Sequence, residues 1–243
     1  MSSNSVPRCG FFGKLPGYGD FIERNLPRSF IEQWDTWLQQ GMAGSRQALG
    51  EQWLDQYLTM PIWRFALSSG CTDGSAWLGI LLPSVDRVGR YFPLTLAQVL
   101  PPVTALTPAL LDNAAWFERL ESIGLACLQE TPTVEAVTEV LDNLPPPRHS
   151  RWHAPIGSSP APGLCVTLHN ADPSTASGDM SQRTGLVLLE TLLRQKQASF
   201  SLWSAGQILL NSEHLPDPRG FAALLSGEWN IHGWQQTHWN EPC

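Results

Sequence analysis

The stretch WLGILLPSVDRVGRYFPLTLAQV, residues 77–99, decides how this chain folds. Two apolar segments, Trp77–Leu82 and Tyr91–Val99, flank the polar loop Pro83–Arg90. That loop is too short to contain a crossover helix, which a parallel connection between neighbouring strands requires. The stretch therefore predicts two strands that pair antiparallel.

Other short apolar segments, each bounded by Gly, Pro, Ser or Asn, predict further strands. Apolar residues at three- and four-residue spacing, preceded by capping signals, predict helices. The resulting order, αα-βββ-αα-β-α-ββ-α, lacks the strict alternation of a doubly wound sheet. We therefore expect an α/β fold of the α+β type, with a mixed, largely antiparallel sheet flanked by helices. The further strands are predicted at Trp63–Leu67, Leu164–His169, Phe200–Trp203 and Ile208–Leu210, and the helices begin near Ser29, Leu49, Thr107 (continuing to Cys127), Thr131, Leu186 and Asp217.

The chain has 243 residues, enough for one well-packed core, and we expect a single domain over residues 1–243. The proline-rich residues 145–163 and the small, polar residues 171–183 predict two mobile loops. Residues 229–243 form a tail without clear periodicity. Neither loop marks a domain boundary, because the C-terminal quarter supplies too few strands for a second core.

The composition excludes several classes of function. Lys and Arg number 15 against 22 Asp and Glu, a net charge of −7, so no basic tract can neutralise the phosphates of a nucleic acid. No apolar run approaches the roughly 18–20 residues of a membrane helix, and the first residues lack the apolar core of a signal peptide. We therefore expect a cytoplasmic protein without membrane insertion. The five dispersed cysteines include no CxxC pair, so they predict reduced thiols, and no metal or cofactor is indicated.

The segment Gly10–Phe21 (GFFGKLPGYGDF) is rich in glycine and contains Lys14. Backbone N–H groups of such a loop can bind phosphate, which suggests an enzyme or ligand-binding protein with a phosphate-handling site at Gly10–Asp20. A P-loop, however, has four residues between its glycines and a Ser or Thr after the lysine. Here two residues separate the first two glycines, and leucine follows the lysine. A structural loop, in which Asp20 accepts backbone N–H bonds, is the favoured interpretation, and the phosphate site is the alternative.

The loop Ser84–Arg90 concentrates charge, with Asp86 beside Arg87 and close to Arg90. Carboxylates near arginines can form an active-site pair with shifted pKa values. More often they hold a loop together with ion pairs and backbone hydrogen bonds, or they present arginine to a protein partner. The sequence contains neither the GxSxG nucleophile motif nor the HExxH metal motif. It therefore predicts a protein without enzymatic activity.

The 11 tryptophans divide into two groups. Those in periodic segments are predicted to lie in the core. Those outside such segments form either a binding surface, where exposed aromatic residues concentrate binding energy, or a tail that wraps around the fold. The first group is Trp34, Trp37, Trp53, Trp63, Trp77, Trp116 and Trp203, and the second is Trp152, Trp229, Trp234 and Trp239.

Two ordered motifs carry a family resemblance. They are G-x-x-G-K-L-P-x-x-G-D-F at Gly10–Phe21 and S-V-D-x-V-G-R-x-F-P-L at Ser84–Leu94. With the later segments Ser199–Ser204 and Phe221–Leu225, they make the chain resemble the TagF/ImpM family of proteins associated with bacterial type VI secretion. The resemblance extends over about residues 9–226.

The resemblance implies a cytoplasmic accessory protein that represses the secretion machine after translation. In the family this regulation acts through a forkhead-associated (FHA) scaffold protein, which is therefore the expected partner. The fold implied is similar to longin/SRX-like α/β sandwiches. The family has no established catalytic residues, so none is carried over to this chain. The oligomeric state is left open.

The charged positions of the two motifs are the candidate site. We expect them to form one shared polar surface that either binds a partner or supports the structure. These positions are Lys14, Asp20, Asp86, Arg87 and Arg90.

Overall fold

The structure, a computed structural model, describes residues 8–151, 177–196 and 198–237. Its centre is a seven-stranded sheet with the strand order β2-β1-β5-β4-β3-β6-β7, in which every neighbouring pair is antiparallel. The expected fold class, an α+β protein with a largely antiparallel sheet, is confirmed. The strands are β1 (Gly10–Gly13), β2 (Ile22–Arg24), β3 (Trp63–Leu67), β4 (Ala76–Leu82), β5 (Leu94–Leu100), β6 (Phe200–Ala205) and β7 (Ile208–Glu213).

The two strands predicted within residues 77–99 form the centre of this sheet. β4 and β5 pair antiparallel over seven positions, as expected. β5 begins at Leu94 rather than at Tyr91. The reason is that Pro93 has no N–H to donate, and Tyr91 forms only an isolated bridge with Val85.

The prediction of a loop at Gly10–Phe21 is wrong for its first four residues, which form β1 between β2 and β5. Glycine serves close backbone approach here rather than a turn. A Cβ atom at Gly10 would collide with the backbone of Arg24, and one at Gly13 would collide with the carbonyl of Pro93. The glycine content of this segment therefore predicted a loop where the sheet contains a strand.

Helices cover both faces of the sheet, so the molecule has three layers. Alternate strand residues point to opposite faces, which separates two cores. One core is rich in aromatic side chains, and the other is mostly aliphatic. The aromatic core packs under α1 (Arg28–Leu49), α2 (Trp53–Leu58) and α7 (Pro218–Ser226), and the aliphatic core packs under α3 (Leu106–Leu111), α4 (Ala114–Gln129), α5 (Val134–Asp142) and α6 (Ser177–Lys196).

All seven tryptophans predicted for the core are buried. Trp34 lies at the centre of the aromatic core, where its ring stacks on Phe30 with 5.4 Å between centroids. Its indole N–H donates to Oγ1 of Thr95 at 2.8 Å. A buried indole needs such a partner, because an unpaired N–H loses its hydrogen bond to water.

The part of the tail that the structure describes wraps around α7. Trp229 is buried and meets the edge of Trp63 with 6.0 Å between ring centroids. Trp234 donates its indole N–H to the carbonyl of Gly220 at 3.1 Å. For these two tryptophans the wrapped tail, and not the exposed binding surface, is correct. Trp152 and Trp239 lie outside the described residues.

The two loop predictions have different outcomes. Within the predicted loop 145–163, residues 145–151 contain no helix or strand apart from one bridge between Arg151 and Thr104, and the rest lies outside the described residues. The predicted strand Leu164–His169 also lies outside them. The loop predicted at 171–183 is wrong from Ser177 onward, because α6 begins there. Short polar residues are common both in loops and in the first turn of helices, so composition alone does not distinguish the two.

The helix expected from Thr107 to Cys127 is two helices, α3 and α4. Asn113 lies at the break. Its side-chain amide donates to the carbonyls of Ala109 and Arg148 at 2.8 Å each, and its Oδ1 accepts the N–H of Arg148 at 2.8 Å. These bonds satisfy backbone groups that a continuous helix would satisfy internally, which makes the break stable.

The close contact between α1 and α7 provides a test of this packing. A Cβ atom at Gly41 would lie 2.5 Å from the ring of Phe221, which is fully buried. We expect Gly41→Ala to lower the free energy of unfolding by about 1–3 kcal/mol, because overpacking outweighs the helix propensity of alanine. Chemical denaturation measures the change.

Gly185→Ala is the matched control, because no atom lies within 4 Å of a Cβ placed there in α6. It should leave stability unchanged or raise it by up to about 1 kcal/mol. Wild-type stability in Gly41→Ala would contradict the close packing of α1 on α7.

Candidate functional site

The two segments singled out in the sequence meet at one end of the sheet. Residues 14–21 connect β1 to β2, and residues 83–93 connect β4 to β5. Because β1 and β5 are antiparallel neighbours, the end of β1 lies beside the start of β5, and the two connections lie side by side. The backbone N–H of Arg87 donates to the carbonyl of Tyr18 at 2.9 Å. We refer to residues 14–21 and 83–93 together as the paired loops.

Asp86 lies at the centre of the paired loops, and its side chain is completely buried. One carboxylate oxygen, Oδ2, accepts hydrogen bonds from Nζ of Lys14 at 2.5 Å and from Nε of Arg90 at 2.6 Å. The other, Oδ1, accepts the backbone N–H groups of Val88 at 3.0 Å and Arg90 at 2.9 Å. Asp86 therefore joins the first loop, through Lys14, to the second.

The surroundings of Asp86 have opposing effects on its pKa. Burial raises the pKa, because it disfavours the charged carboxylate. The hydrogen bonds from Lys14, Arg90 and Val88 lower it, because they stabilise the charged form, and their combined effect is larger. The pKa of Asp86 therefore lies well below its ordinary value, and the carboxylate is ionised at neutral pH.

Lys14 is itself buried, which is rare for a lysine and requires a charged partner. Its backbone carbonyl accepts the hydroxyl of Ser84 at 2.6 Å. Tyr57 of α2 binds Ser84 twice: its hydroxyl accepts the Ser84 N–H at 2.9 Å and donates to the Ser84 carbonyl at 2.8 Å. Burial raises the pKa of Tyr57, so the hydroxyl stays protonated and able to donate. The base of the paired loops is thus fixed to α2.

Arg90 joins the outer parts of the two loops by hydrogen bonds. Its guanidinium donates through Nε to Asp86 and through Nη2 to the carbonyl of Gly19. Gly89 turns the chain back with φ of 85°, a conformation that favours glycine, and its N–H donates to the Asp86 carbonyl at 3.0 Å. The side chain of Arg90 nevertheless remains 58% exposed, so it belongs both to the network and to the surface.

The outer surface of the paired loops is partly apolar and partly charged. Phe21 is 47% exposed and Val88 is 65% exposed. Phe21 is still held in place, because its ring stacks on Phe12 with 5.7 Å between centroids and meets Phe92 edge-on at 4.8 Å. Arg87, next to Val88 in the second loop, is also exposed.

The structure brings together three of the five predicted site residues, namely Lys14, Asp86 and Arg90. Asp20 and Arg87 are exposed on the same loops but lie outside this network. Backbone N–H bonds to Asp20, expected from the sequence, do not occur within the described part of the chain. The structural role of the first three is therefore visible in the geometry, and a role in partner binding stays a prediction.

Three further residues of the site escaped sequence reasoning: Ser84, Phe21 and Tyr57. Ser84 begins the second motif and Phe21 ends the first, so the motif boundaries already contained a signal. Tyr57 gave no such signal, because its helical spacing predicts only a core residue. Its bonds to Ser84 depend on how the fold places α2 beside the loop that follows β4.

The geometry counts against the alternative of a phosphate site at Gly10–Asp20. The ammonium group of Lys14 is buried and paired with Asp86, so it is not available to an anion.

Within the three described ranges, no group of three or more His, Cys, Asp or Glu side chains is placed to hold a metal ion. None of the helices in those ranges combines the length and the apolar character needed to cross a bilayer.

A second polar cluster, at the start of β6, contains a possible nucleophile and base. The hydroxyl of Ser199 is hydrogen-bonded to Nδ1 of His214, but Ser199 is buried. The nearby thiol of Cys71 donates to the carbonyl of Phe200 at 3.2 Å. Burial raises the pKa of Cys71 to about 11, so the thiol stays protonated and unreactive at neutral pH. This cluster lacks an accessible, activated nucleophile.

Comparisons with known proteins agree with the two motifs. A family model described as the TagF N-terminal domain, type VI secretion system-associated, matches residues 10–144, more than half of the chain. The chain belongs to the TagF family. Both motifs that form the paired loops, Gly10–Phe21 and Ser84–Leu94, lie inside the range matched by the TagF model.

A solved structure extends the TagF comparison to almost the whole chain. The crystal structure of PA0076 from Pseudomonas aeruginosa PAO1 is similar with a TM-score of 0.70 and 35% sequence identity. The match covers 97% of this chain and 99% of that chain. A comparison with proteins of curated function gave no match.

Replacement of Asp86 tests its structural role. Asp86→Asn replaces an acceptor with an NH₂ group that faces the donors of Lys14 or Arg90. We expect the melting temperature to fall by roughly 5 °C or more, because a buried cation loses its partner. Glu32→Gln is the control, since it removes the exposed i,i+4 pair between Arg28 and Glu32 and should change the melting temperature by about 1 °C or less. Equal effects of the two substitutions would contradict the central role of Asp86.

The depressed pKa of Asp86 also predicts a dependence on pH. The pKa of Asp86 is lower in the folded state than in the unfolded state, where it is about 4. The ionised carboxylate therefore stabilises the fold above that pH, and this contribution is lost as the pH falls toward the folded-state pKa. The stability difference between wild type and Asp86→Asn should therefore be constant from pH 5 to 7 and shrink below about pH 4. Denaturation series at each pH measure it. A difference that grows with acidification would contradict the assigned pKa direction.

Proposed function

We propose that this chain is a non-enzymatic, cytoplasmic accessory protein of type VI secretion, and that it represses the system after translation by binding its FHA scaffold protein. Membership of the TagF family associates the chain with type VI secretion. The partner, the repression and the location are inferred from the resemblance of the two motifs to the TagF/ImpM family. The geometry of the paired loops supports a binding role.

One observation carries the proposal: two motifs far apart in the sequence fold into a single fixed surface. Lys14 and Asp86 are separated by 72 positions and form a buried ion pair. Separation of the pair would leave a buried charge without its partner, which is costly, so the pair holds the two loops in one arrangement. Loops that are already ordered lose little conformational entropy when a partner binds. A preorganised surface of this kind suits protein recognition.

The same geometry disfavours catalysis by these residues. A general base or acid needs a pKa near the working pH and a free position for the proton that it transfers. Asp86 has a depressed pKa, and both of its oxygens already accept two hydrogen bonds each. Its charge is used to hold the loops together, which leaves the outer surface to interact with a partner.

Repression by binding requires no chemical step. Scaffold protein that is bound to this chain is withdrawn from assembly of the secretion machine by mass action. The degree of repression then depends on the concentrations of the two proteins and on their dissociation constant. This accounts for regulation that acts after translation and without a catalytic site.

Binding and secretion assays test the proposal together. We expect the purified chain to bind the FHA scaffold protein encoded in the same secretion locus, with a dissociation constant measurable by calorimetry. Deletion of the gene should increase secretion, and excess chain should suppress it, because scaffold is released or withdrawn.

Complementation with the wild-type chain is the control for the deletion. Asp86→Asn should complement less well at equal protein level, because its loops are less ordered. Absence of scaffold binding, together with secretion unchanged by deletion, would refute the proposed function.

A further inference from the structure

We propose that the exposed rim of the paired loops, formed by Phe21, Arg87, Val88 and Arg90, is the docking surface for the scaffold protein, and that it receives a segment with carboxylates beside an apolar side chain. This inference rests on the proposed function. It adds the face of the molecule that binds and the chemistry that the partner must present.

The apolar part of the rim is unusual in its arrangement. Single exposed apolar residues are common on protein surfaces. Here Phe21, 47% exposed, and Val88, 65% exposed, lie on two loops that hydrogen bonds join together. The contacts of Phe21 with Phe12 and Phe92 fix its ring, so little side-chain entropy is lost on binding. A fixed, half-exposed aromatic ring has the character of a binding hot spot.

The charged part of the rim is opposite in sign to the chain as a whole. The paired loops contain Lys14, Arg87 and Arg90 against Asp20 and Asp86, whereas the chain has a net charge of −7. Asp86 is completely buried between Lys14 and Arg90, so the exposed charges are those of the two arginines and Asp20. A local excess of positive charge on an acidic protein attracts an acidic partner segment by charge complementarity.

Hydrogen bonds hold the side chain of Arg90 and the backbone of Arg87 in place. Arg90 is bound to Asp86 and to the carbonyl of Gly19, and the backbone of Arg87 is bound to Tyr18. Planar guanidinium groups bind carboxylates with two parallel hydrogen bonds, which gives direction as well as affinity. The rim therefore combines an aromatic contact with carboxylate recognition.

The charge of the rim also favours a different protein over a second copy of this chain. A symmetric dimer through the rim would bring together two copies of the same patch, each with an excess of positive charge. Like charges that face each other at an interface weaken it. An acidic segment of another protein meets no such repulsion.

Calorimetric titration of the scaffold protein with matched variants tests the surface. Arg87→Glu and Phe21→Ala should each weaken binding by roughly tenfold or more. The controls make the same kinds of change elsewhere: Arg119→Glu on the exposed side of α4, and Ile231→Ala in the tail, where the side chain is 61% exposed. They should alter the dissociation constant by about twofold or less. An increase of NaCl from 50 to 200 mM should weaken scaffold binding by the wild type more than scaffold binding by Arg87→Ala.

Arg87→Ala separates binding from folding, because the Arg87 guanidinium makes no hydrogen bond within the described part of the chain and its removal should leave the fold intact. Its melting temperature should equal that of the wild type. If the wild type does not bind the scaffold, the proposed function fails, and the surface fails with it. If the wild type binds and both rim variants bind equally well, the surface alone is overturned. Equal losses of affinity in Arg87→Glu and Arg119→Glu would likewise overturn it. So would a change in the molecular mass of the rim variants, measured by light scattering.

Discussion

A buried carboxylate remains charged only if donors surround it, and in this protein the donors to Asp86 come from two distant segments of the chain. Lys14 reaches it from the loop after β1, whereas Val88 and Arg90 reach it from the loop after β4. Because the charge is costly to bury unpaired, the two loops are constrained to one arrangement. The shape of the exposed rim follows from that constraint.

The sheet places the two loops where this network can form. β1 lies beside β5, and β5 lies beside β4, so both loops leave the same end of the sheet. Gly10 and Gly13 allow β1 to approach its neighbours closely, which side chains would prevent. Tyr57, held in the aromatic core, then fixes Ser84 at the base of the second loop. Core packing and loop geometry are therefore parts of one structure.

Sequence reasoning succeeded where local patterns determine the structure. The antiparallel pair within residues 77–99 and the buried tryptophans follow from apolar periodicity and a short connection. It failed where tertiary contacts determine the structure. The segment of β1 was predicted as a loop because of its glycines, which in the fold allow neighbouring strands to approach closely. Likewise, α6 begins at Ser177 in a stretch whose composition resembles a loop. The site residues Lys14, Asp86 and Arg90 were found from charge, whereas Tyr57 could be found only from the fold.

The central claim is that Asp86 orders the paired loops. The most direct measurement is hydrogen exchange at the amides of Val88 and Arg90, which donate to its Oδ1. In Asp86→Ala these two amides should exchange roughly tenfold faster or more than in the wild type, while the amides of β4 and β5 remain protected. Unchanged protection at Val88 and Arg90 would show that the loops are ordered without the carboxylate, and would contradict the account.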